Sequence, residues 1–252
     1  MSRDTWDPAQ YAVYSDERSR AFFELTARMR PPAPRRVVDL GCGSGELTAT
    51  LADRWPGAEV LGLDSSASMI GKARGHERPG LGFAVGDLAT WRPEAPVDVI
   101  VSNAAFQWVP GHVELLPVWV RSLAPGGVLA FQVPGNFDAP SHTLLREMSA
   151  KHGVGDVLRW RPVLDPAEYL DLLAGLGCRV DAWETTYLQV LPGKNAVLEW
   201  VKGTALRPVL AALDDPAAFL SDYSAALDDA YPPGPNGTVF PFRRIFVVAT
   251  NP

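Results

Sequence analysis

The chain has 252 residues, and its composition is that of a folded globular protein. Hydrophobic residues make up 47% and charged residues 21%, which excludes an intrinsically disordered chain and allows a sizeable buried core. The formal net charge is -6 and no run of Lys or Arg exceeds two residues, so we expect a small-molecule substrate and no nucleic acid partner. The two cysteines, Cys42 and Cys178, have no metal-ligand spacing, so we predict neither a disulfide framework nor a metal site.

The amino-terminal region carries charges and a proline where a signal peptide needs an uninterrupted apolar core. No apolar run approaches the ~20 residues that a membrane-spanning helix requires. We therefore expect a cytoplasmic protein without a membrane partner. The sequence does not predict its oligomeric state.

The first half of the chain alternates strand-like apolar runs with helical patterns. This alternation predicts an α/β fold with a doubly wound, mostly parallel sheet of the Rossmann-like type. Ligands bind such sheets at the carboxyl ends of the strands. The predicted strands are 36–40, 59–64, 82–85, 97–102 and 127–133, and the predicted helices are 44–54, 67–75 and 113–123.

The second half has a different pattern, with a helix at 166–175, a long strand at 179–191 and a terminal strand at 242–250. The last two are expected to pair and to complete a seven-stranded sheet. Residues 192–240 are too many for a simple turn, and we predict that they form a helical lid. Residues 1–30 are predicted to form an amino-terminal helical cap of a single domain, 1–252.

A glycine-rich loop in the segment VVDLGCGSG places Gly41, Gly43 and Gly45 where a buried strand turns into a helix. Such a loop alone is equally typical of nicotinamide enzymes or of a tight turn. Glu46 replaces the third glycine of the dinucleotide pattern GxGxxG. The Asp39 carboxylate would oppose a pyrophosphate but could hold the cationic methionine end of S-adenosylmethionine. These residues favour a cofactor without phosphate.

Two further acids follow the second and third predicted strands. Asp64, with Ser65 beside it, can accept hydrogen bonds from both ribose hydroxyls of a nucleoside. Met69 could bring its thioether near the adenine face, although a helical methionine is more often ordinary core. Asp87, followed by Leu88, could bind the adenine amino group, and the alternative is a helix cap or turn acid.

After the fourth strand, the segment SNAAFQWVP carries polar and aromatic groups next to the expected methyl position. Asn103 is predicted to contact the cofactor there. Trp108 is a candidate substrate contact because its indole can donate to an anion, and the alternative is simple packing. Taken in order, VVDLGCGSG, LDSS, GDL and SNAAFQWV resemble the motif series of the class I S-adenosylmethionine-dependent methyltransferases.

A closer resemblance covers nearly the whole chain. The segments WDPAQYAVYSDERSR, FQVPGNFDAPSH, WETTYLQ and VFPFRRIFVVA are similar to those of the trans-aconitate 2-methyltransferase family. This resemblance implies an O-methyltransferase that forms the monomethyl ester of a tricarboxylate, with S-adenosylmethionine as donor, S-adenosylhomocysteine as product and no metal. The chain departs from the family in the extra arginine of FPFRR and in GNF, which leaves the identity of the acid open.

A polycarboxylate substrate requires cationic groups, and arginine matches carboxylates geometrically. Side chains alternate along a strand, so only one of Arg243 and Arg244 can face a binding cleft, and the family pattern FxRxF matches Arg244. Arg18, in the SDERSR element, is a second candidate for the substrate or for the cofactor carboxylate. The alternative for each arginine is a surface ion pair. The candidates in lid or cap elements are Arg18, Arg20, Arg207, Arg243 and Arg244.

His142 and Tyr187 could add hydrogen bonds to substrate carboxylates, and their alternatives are a helix N-terminal residue and a strand packing residue. A carboxylate is ionised at pH 7 and can attack the sulfonium methyl directly, so the sequence predicts no obligatory catalytic base. Two alternatives stay open. One is methylation of another small acid or a hydroxyl metabolite, with His142 as base. The other is a non-catalytic S-adenosylmethionine-binding protein.

Overall fold

The computed structural model describes residues 15–158, 163–203 and 205–252, with side chains from Ser19 onward. Its α-helices are α1 (Ser15–Ala27), α2 (Glu46–Arg54), α3 (Ala67–Ala73), α4 (His112–Arg121), α5 (Pro140–Lys151), α6 (Pro166–Gly175), α7 (Ala196–Lys202), α8 (Arg207–Ala212) and α9 (Ala217–Ala230). Its strands are β1 (Arg36–Leu40), β2 (Glu59–Asp64), β3 (Leu81–Val85), β4 (Val97–Asn103), β5 (Leu123–Pro134), β6 (Arg179–Leu191), β7 (Pro233–Gly234) and β8 (Gly237–Thr250). Short 3₁₀ helices occur at Arg74–His76, Phe106–Trp108 and Gly155–Val157.

The strands form one sheet in the order β3-β2-β1-β4-β5-β8-β6, with the two-residue β7 paired to β8. The pairs β1 with β2, β1 with β4, β2 with β3 and β4 with β5 are parallel. The predicted doubly wound, mostly parallel sheet of seven strands is therefore confirmed, and β7 is a small addition to it. The order of the strands in the sheet reverses direction between β1 and β4. Sheets of this type bind ligands at such a switch point.

The central strands are buried because the sheet is covered on both faces. In β1 every residue after Arg36 is buried, and β4 is buried from Val99 to Ser102. The core between the sheet and its helices contains Leu40, Leu63, Ile100, Phe106, Trp119, Leu129, Phe131 and Tyr169. Burial on both faces explains why these strands are continuous apolar runs in the sequence, without polar alternation.

Several element boundaries match the sequence prediction, and others differ for local reasons. The bounds of β1, β2, β6 and α6 are as predicted. Helix α2 begins at Glu46, after the predicted start at residue 44, because Gly45 has a left-handed φ of 87° and cannot be part of the helix. Strand β5 begins at Leu123, before the predicted 127, because Leu123 pairs with Val97 ahead of a register shift.

The chain divides into two compact units, which are described separately. The first comprises Met1–Val133, Val163–Glu184 and Ile245–Pro252, and it contains β1 to β4 with their helices. The second comprises Pro134–Pro162 and Thr185–Arg244. The predicted helical insert, residues 192–240, falls within the second unit and contains α7, α8 and α9. Its last residues are not helical, because they form β7 and the start of β8, so the terminal strand begins at Gly237 and not at the predicted residue 242. The role of the insert as a lid stays a prediction.

In the first unit, α1 is anchored by Trp183 of β6, a residue of the WETTYLQ segment. The Trp183 indole Nε1 donates to Glu24 Oε1 at 3.0 Å, and its ring stacks on Phe246 with a centroid distance of 4.9 Å. The Arg28 guanidinium lies over the same ring at 3.8 Å and pairs with Asp181. The predicted amino-terminal cap, 1–30, thus includes an anchored helix, while residues 1–14 lie outside the described residues.

In the second unit, α5 and α9 pack through buried tyrosines. The Tyr223 hydroxyl donates to Ser141 O at 2.6 Å, and the Tyr231 hydroxyl accepts from Ser141 N at 3.0 Å. Phe219 and Tyr223 are fully buried. Within the described part of the chain, no helix is long and apolar enough to cross a lipid bilayer.

Candidate active site

The glycine-rich loop has a backbone conformation that requires glycine. Gly41 and Gly45 have φ values of 86° and 87°, in the left-handed region that side chains disfavour. A Cβ at Gly41 would lie 2.2 Å from the Ala105 Cβ, which is a direct clash. A Cβ at Gly43, where φ is 55°, would have no atom within 4 Å. The loop is therefore tightly packed at Gly41 and open at Gly43, where a ligand can approach the backbone.

Asp39, two residues before this loop, is a buried carboxylate with one satisfied oxygen. Its Oδ2 accepts from the Thr48 hydroxyl at 2.6 Å, whereas no described residue donates to its Oδ1. Burial raises the pKa of Asp39 to about 7, with the Thr48 hydrogen bond opposing this rise and the Asp64 charge adding to it. An unsatisfied buried carboxylate oxygen is costly unless a cation or donor binds it. This arrangement fits the ammonium group of S-adenosylmethionine.

Asp64, at the carboxyl end of β2, already holds the glycine-rich loop. Its Oδ2 accepts from Gly43 N at 3.0 Å, and its Oδ1 accepts from Ser66 N at 2.9 Å. Each carboxylate oxygen can accept a further hydrogen bond, so ribose hydroxyls can still bind. Ser65 is exposed beside it. The sequence predicted the ribose role but missed this support of the loop.

The residues predicted near the adenine have different environments. Met69 is 4% exposed, and its backbone N donates to the Ser66 side chain at the start of α3. Leu88 is buried in the core at 6% exposure. Asp87 is exposed, and its Oδ1 accepts from Ala89 N at 2.9 Å, which is the contact of a turn acid. Their contacts with a cofactor stay predictions.

Asn103 ends β4 and pairs in register with Gln132 of β5. The Asn103 Oδ1 accepts from Gln132 Nε2 at 2.8 Å, and Gln132 is only 1% exposed. The next residue, Ala104, has a φ of 54°, which is unusual for a residue with a side chain. No local motif in the sequence indicates Gln132, because its contact with Asn103 depends on the register of two strands.

Trp108 is the last residue of the 3₁₀ helix Phe106–Trp108, which follows β4. The Trp108 residue is 48% exposed. The buried aromatic residue of this segment is Phe106, which stacks on Trp119 with a centroid distance of 4.3 Å. In this segment, Phe106 is therefore the aromatic residue that packs in the core. Trp108 remains a predicted substrate contact.

In the second unit, Arg244 of β8 is buried at 6% exposure. Among the described residues it is the only arginine or lysine that is buried. Its guanidinium lies 4.5 Å from the centroid of the Phe242 ring, at cation–π distance. Arg243 is half-buried, and its backbone N and O bond to the Asn136 side chain. Arg244 is therefore the more buried of the two arginines, and its role toward a substrate stays a prediction.

Tyr187 and His142 also lie in the second unit. Tyr187 is 4% exposed on β6. His142 lies in the first turn of α5, and its Nδ1 is 3.1 Å from the Ser141 hydroxyl. Burial, with the nearby Arg146 cation adding to it, lowers the pKa of His142 to about 4. His142 is therefore neutral at pH 7. Arg18 lies in α1, but its side chain is outside the described residues.

Neither metal nor thiol chemistry has support in the described part of the chain. No group of three or more His, Cys, Asp or Glu there could hold a metal ion. Cys42 and Cys178 are free and buried, and burial raises the pKa of both thiols. Neither thiol is then an effective nucleophile at neutral pH.

Comparisons with known proteins agree with the resemblance in the sequence. Residues 37–127 match a family model described as a methyltransferase domain. The trans-aconitate 2-methyltransferase of Streptomyces avermitilis is 51% identical, covering 97% of this chain and 96% of that protein. The enzyme of the same name from Rhodococcus jostii is 52% identical, covering 97% and 98%.

A solved structure gives the same fold at much lower sequence identity. The phosphoethanolamine N-methyltransferase 2 of Haemonchus contortus, in complex with phosphomonomethylethanolamine and S-adenosylhomocysteine, matches with a TM-score of 0.57 and 18% identity. The match covers 92% of this chain and 53% of that one. At this identity it supports the fold alone, whereas the near-full-length relatives are decisive. The chain is an S-adenosylmethionine-dependent methyltransferase and belongs to the trans-aconitate 2-methyltransferase family.

Proposed function

We propose that this enzyme transfers the methyl group of S-adenosylmethionine to a carboxylate of trans-aconitate, forming a monomethyl ester and S-adenosylhomocysteine. The observation that carries the proposal is identity of about half the residues over 97% of the chain to relatives named trans-aconitate 2-methyltransferase. Fold alone would not identify the acceptor, because one fold serves many reactions.

The second unit supplies a suitable group for a polycarboxylate. Arg244 is a permanent cation held in a buried position against the Phe242 ring. A guanidinium presents a planar fork of donors, which matches a carboxylate in two parallel hydrogen bonds. In this proposal Arg244 binds a carboxylate that is not methylated. Arg18, Trp108, His142 and Tyr187 retain their predicted roles as further substrate contacts.

The first unit supplies the residues for the cofactor. Asp39 Oδ1 would hold the ammonium group, and Asp64 would bind the ribose while it fixes the loop at Gly43. S-adenosylmethionine supplies an electrophilic sulfonium methyl when bound. The remaining cofactor contacts stay as predicted from the sequence, namely Gly41, Gly45, Ser65, Met69, Asp87, Leu88 and Asn103.

Catalysis is proposed to rest on alignment, without a general base. A carboxylate has no proton to lose at pH 7. The enzyme must hold its oxygen about 3 Å from the methyl carbon and in line with the sulfur. His142, with a pKa near 4, is a poor base at pH 7. This weakens the alternative of a hydroxyl acceptor that His142 would deprotonate. The predicted lid, 192–240, would exclude water.

The test is a transfer assay with methyl-labelled S-adenosylmethionine and a panel of trans-aconitate, cis-aconitate, citrate and isocitrate. We expect the highest kcat/KM with trans-aconitate, and mass spectrometry of the product identifies the esterified carboxyl. A methyl ester is cleaved by mild alkali whereas a methyl ether is stable, so release of labelled methanol distinguishes carboxyl from hydroxyl methylation. Transfer to no acid in the panel would contradict the proposal.

A further inference from the structure

Asn103 and Gln132 form a hydrogen bond whose direction fixes what Asn103 presents. The two residues are register partners on the parallel strands β4 and β5. Gln132 Nε2 donates to Asn103 Oδ1 at 2.8 Å, and Gln132 is buried at 1% exposure. The carbonyl side of the Asn103 amide is therefore occupied. Its Nδ2 group, a donor, is turned away from Gln132, and no described residue accepts a hydrogen bond from it.

The segment after Asn103 is packed against the glycine-rich loop of the cofactor site. Ser102 donates to Leu40 O at 2.7 Å, at the last residue of β1 before the loop. The Ala105 Cβ occupies the space in which a side chain at Gly41 would lie. The residues that flank Asn103 in sequence, Ser102 and Ala105, therefore both lie against the cofactor loop or the strand that leads into it. The half-buried amide lies at the carboxyl end of β4, where parallel sheets of this type bind ligands.

The hydrogen-bonding character of that amide selects between classes of methyl acceptor. An attacking carboxylate or alkoxide oxygen carries negative charge and accepts hydrogen bonds, so a donor stabilises and orients it. An amine nucleophile carries protons and must be oriented by an acceptor, which the Asn103 carbonyl cannot provide while Gln132 occupies it. Free rotation of the amide would allow either arrangement. In this structure the bond from Gln132 Nε2 selects the arrangement in which the Asn103 NH₂ group is turned outward.

We infer that Gln132 is a positioning residue that locks Asn103 with its NH₂ group outward, and that this donor makes the enzyme selective for anionic oxygen acceptors over amines. The inference deepens the proposed function and rests on it for the choice of trans-aconitate as probe. It adds a contact with the acceptor to the predicted contact of Asn103 with the cofactor.

The first test changes the outward NH₂ group of Asn103 and keeps the hydrogen bond from Gln132. Asn103→Asp retains Oδ1 as acceptor for Gln132 and replaces only the outward NH₂ by an oxygen. We expect kcat/KM for trans-aconitate to fall roughly 10- to 100-fold, the effect of losing one hydrogen bond to a charged group. Asn103→Ala, which removes the donor without adding charge, should lose less. The Kd of S-adenosylhomocysteine should rise by a clearly smaller factor than kcat/KM falls in both variants, because Asn103 is also a predicted cofactor contact.

The second test removes the hydrogen bond from Gln132 and keeps Asn103 itself. Gln132→Met has a similar volume but cannot donate to Asn103, and we expect kcat/KM to fall roughly 10-fold with the larger part in kcat. Gln107→Met is the matched control, because Gln107 Nε2 donates to Ala104 O at 2.6 Å in the same segment without touching the Asn103 amide. Its effect should be several-fold smaller at equal Tm.

The outcomes separate this inference from the proposed function. If wild-type enzyme methylates a different carboxylic acid and not trans-aconitate, the proposed substrate is wrong and the selectivity for anionic oxygen stands. A small primary amine is added to the panel as the competing acceptor, and efficient transfer to it overturns the inference. Equal losses in Gln132→Met and Gln107→Met overturn the positioning role, and so does a rise in the S-adenosylhomocysteine Kd that matches the loss of kcat/KM. Absence of transfer to every compound overturns both proposals.

Discussion

Among the described carboxylates, Asp39 is the one whose environment most clearly opposes its charge. The folded-state pKa of about 7 exceeds the ordinary value of 3.8, because burial penalises the ionised form. Without a ligand, the folded protein therefore binds this proton more tightly than the unfolded chain. The contribution of Asp39 to stability consequently grows as the pH falls from about 7 toward 4, and it is lost above pH 7.

A bound ammonium group should reverse this preference, which gives a testable pH dependence. We expect the Kd of S-adenosylhomocysteine to rise as the pH falls below about 7, approaching tenfold per pH unit, because binding requires the ionised carboxylate. Calorimetry in buffers of different ionisation enthalpy should show release of roughly half a proton per site at pH 7. Asp39→Asn should bind more weakly and lose this dependence. A wild-type Kd that is constant between pH 5.5 and 8 would place the ammonium elsewhere.

Asp64 combines two roles that one substitution removes together. Asp64→Ala deletes the acceptor for the ribose hydroxyls and also the supports of Gly43 N and Ser66 N. We expect the affinity for S-adenosylhomocysteine to fall by ~1.5 to 3 kcal/mol, measured by calorimetry. Asp64→Asn keeps one acceptor oxygen and should lose less.

Asp98, whose carboxylate lies at the amino end of β1, provides a matched control for Asp64. The Asp98 carboxylate also accepts from two backbone amides, those of Arg35 and Arg36, at 2.8 and 2.9 Å. These precede or begin β1, on the side opposite the glycine-rich loop. Asp98→Ala should therefore reduce stability without changing the Kd. Similar losses of affinity in both variants would mean that Asp64 acts only through the fold.

At the scale of elements, the glycines in the turn from β1 into α2 differ in what a side chain would meet at each position. Gly41→Ala brings a methyl group within 2.2 Å of the Ala105 Cβ at a φ of 86°, so we expect a loss of several °C in Tm together with cofactor affinity. Ala105→Gly in the same chain removes the clash and should restore part of the Tm. No restoration would show that backbone conformation alone makes Gly41 necessary.

Gly43→Ala should have the opposite profile. The space around Gly43 is open and its φ is 55°, so an alanine costs about 1 to 2 kcal/mol of backbone strain without a clash. Its methyl group would instead occupy the space through which the ligand approaches. We expect a modest decrease in Tm and a larger loss of S-adenosylhomocysteine affinity, compared by thermal unfolding and calorimetry. A variant with unchanged affinity would exclude close approach of the cofactor at this position.

The parts that the sequence predicts well are those encoded by neighbouring residues. Strands β1 and β2 and the glycine-rich loop follow from apolar runs that end in turn residues, and their bounds agree with the structure. Strand alternation predicts that only one of Arg243 and Arg244 faces the cleft, and the family pattern FxRxF assigns that role to Arg244, which stays a prediction. Burial of Arg244 at 6% exposure agrees with that argument.

The parts that the sequence does not predict depend on contacts between distant residues. The Gln132 bond to Asn103 joins positions 29 apart and depends on strand register. The raised pKa of Asp39 results from burial after folding, which no spacing reveals. The start of β5 at Leu123 depends on pairing with Val97 across a register shift. Local patterns therefore identified candidate residues, while tertiary contacts determine their charge and orientation.

At the scale of the whole molecule, the predicted cofactor and carboxylate contacts lie in different units. Asp39, Asp64 and Asn103 belong to the first unit, while His142, Tyr187 and Arg244 belong to the second. Substitutions in the second unit should therefore alter acceptor kinetics and leave cofactor affinity nearly unchanged. This separation allows the substrate role of Arg244 to be tested independently of the methyl donor.

Arg244→Ala provides that test, with Arg243→Ala as its control in the same strand. Arg244 is buried against Phe242, so its removal would leave a bound substrate carboxylate without its cation, and we expect kcat/KM for trans-aconitate to fall by ~2 to 5 kcal/mol. The Kd of S-adenosylhomocysteine should stay nearly constant. Arg243→Ala keeps the backbone bonds to Asn136 and should retain most activity. If Arg243→Ala loses the activity instead, the facing of the strand is inverted. If neither variant matters, Arg244 is a structural cation and trans-aconitate is bound by other residues.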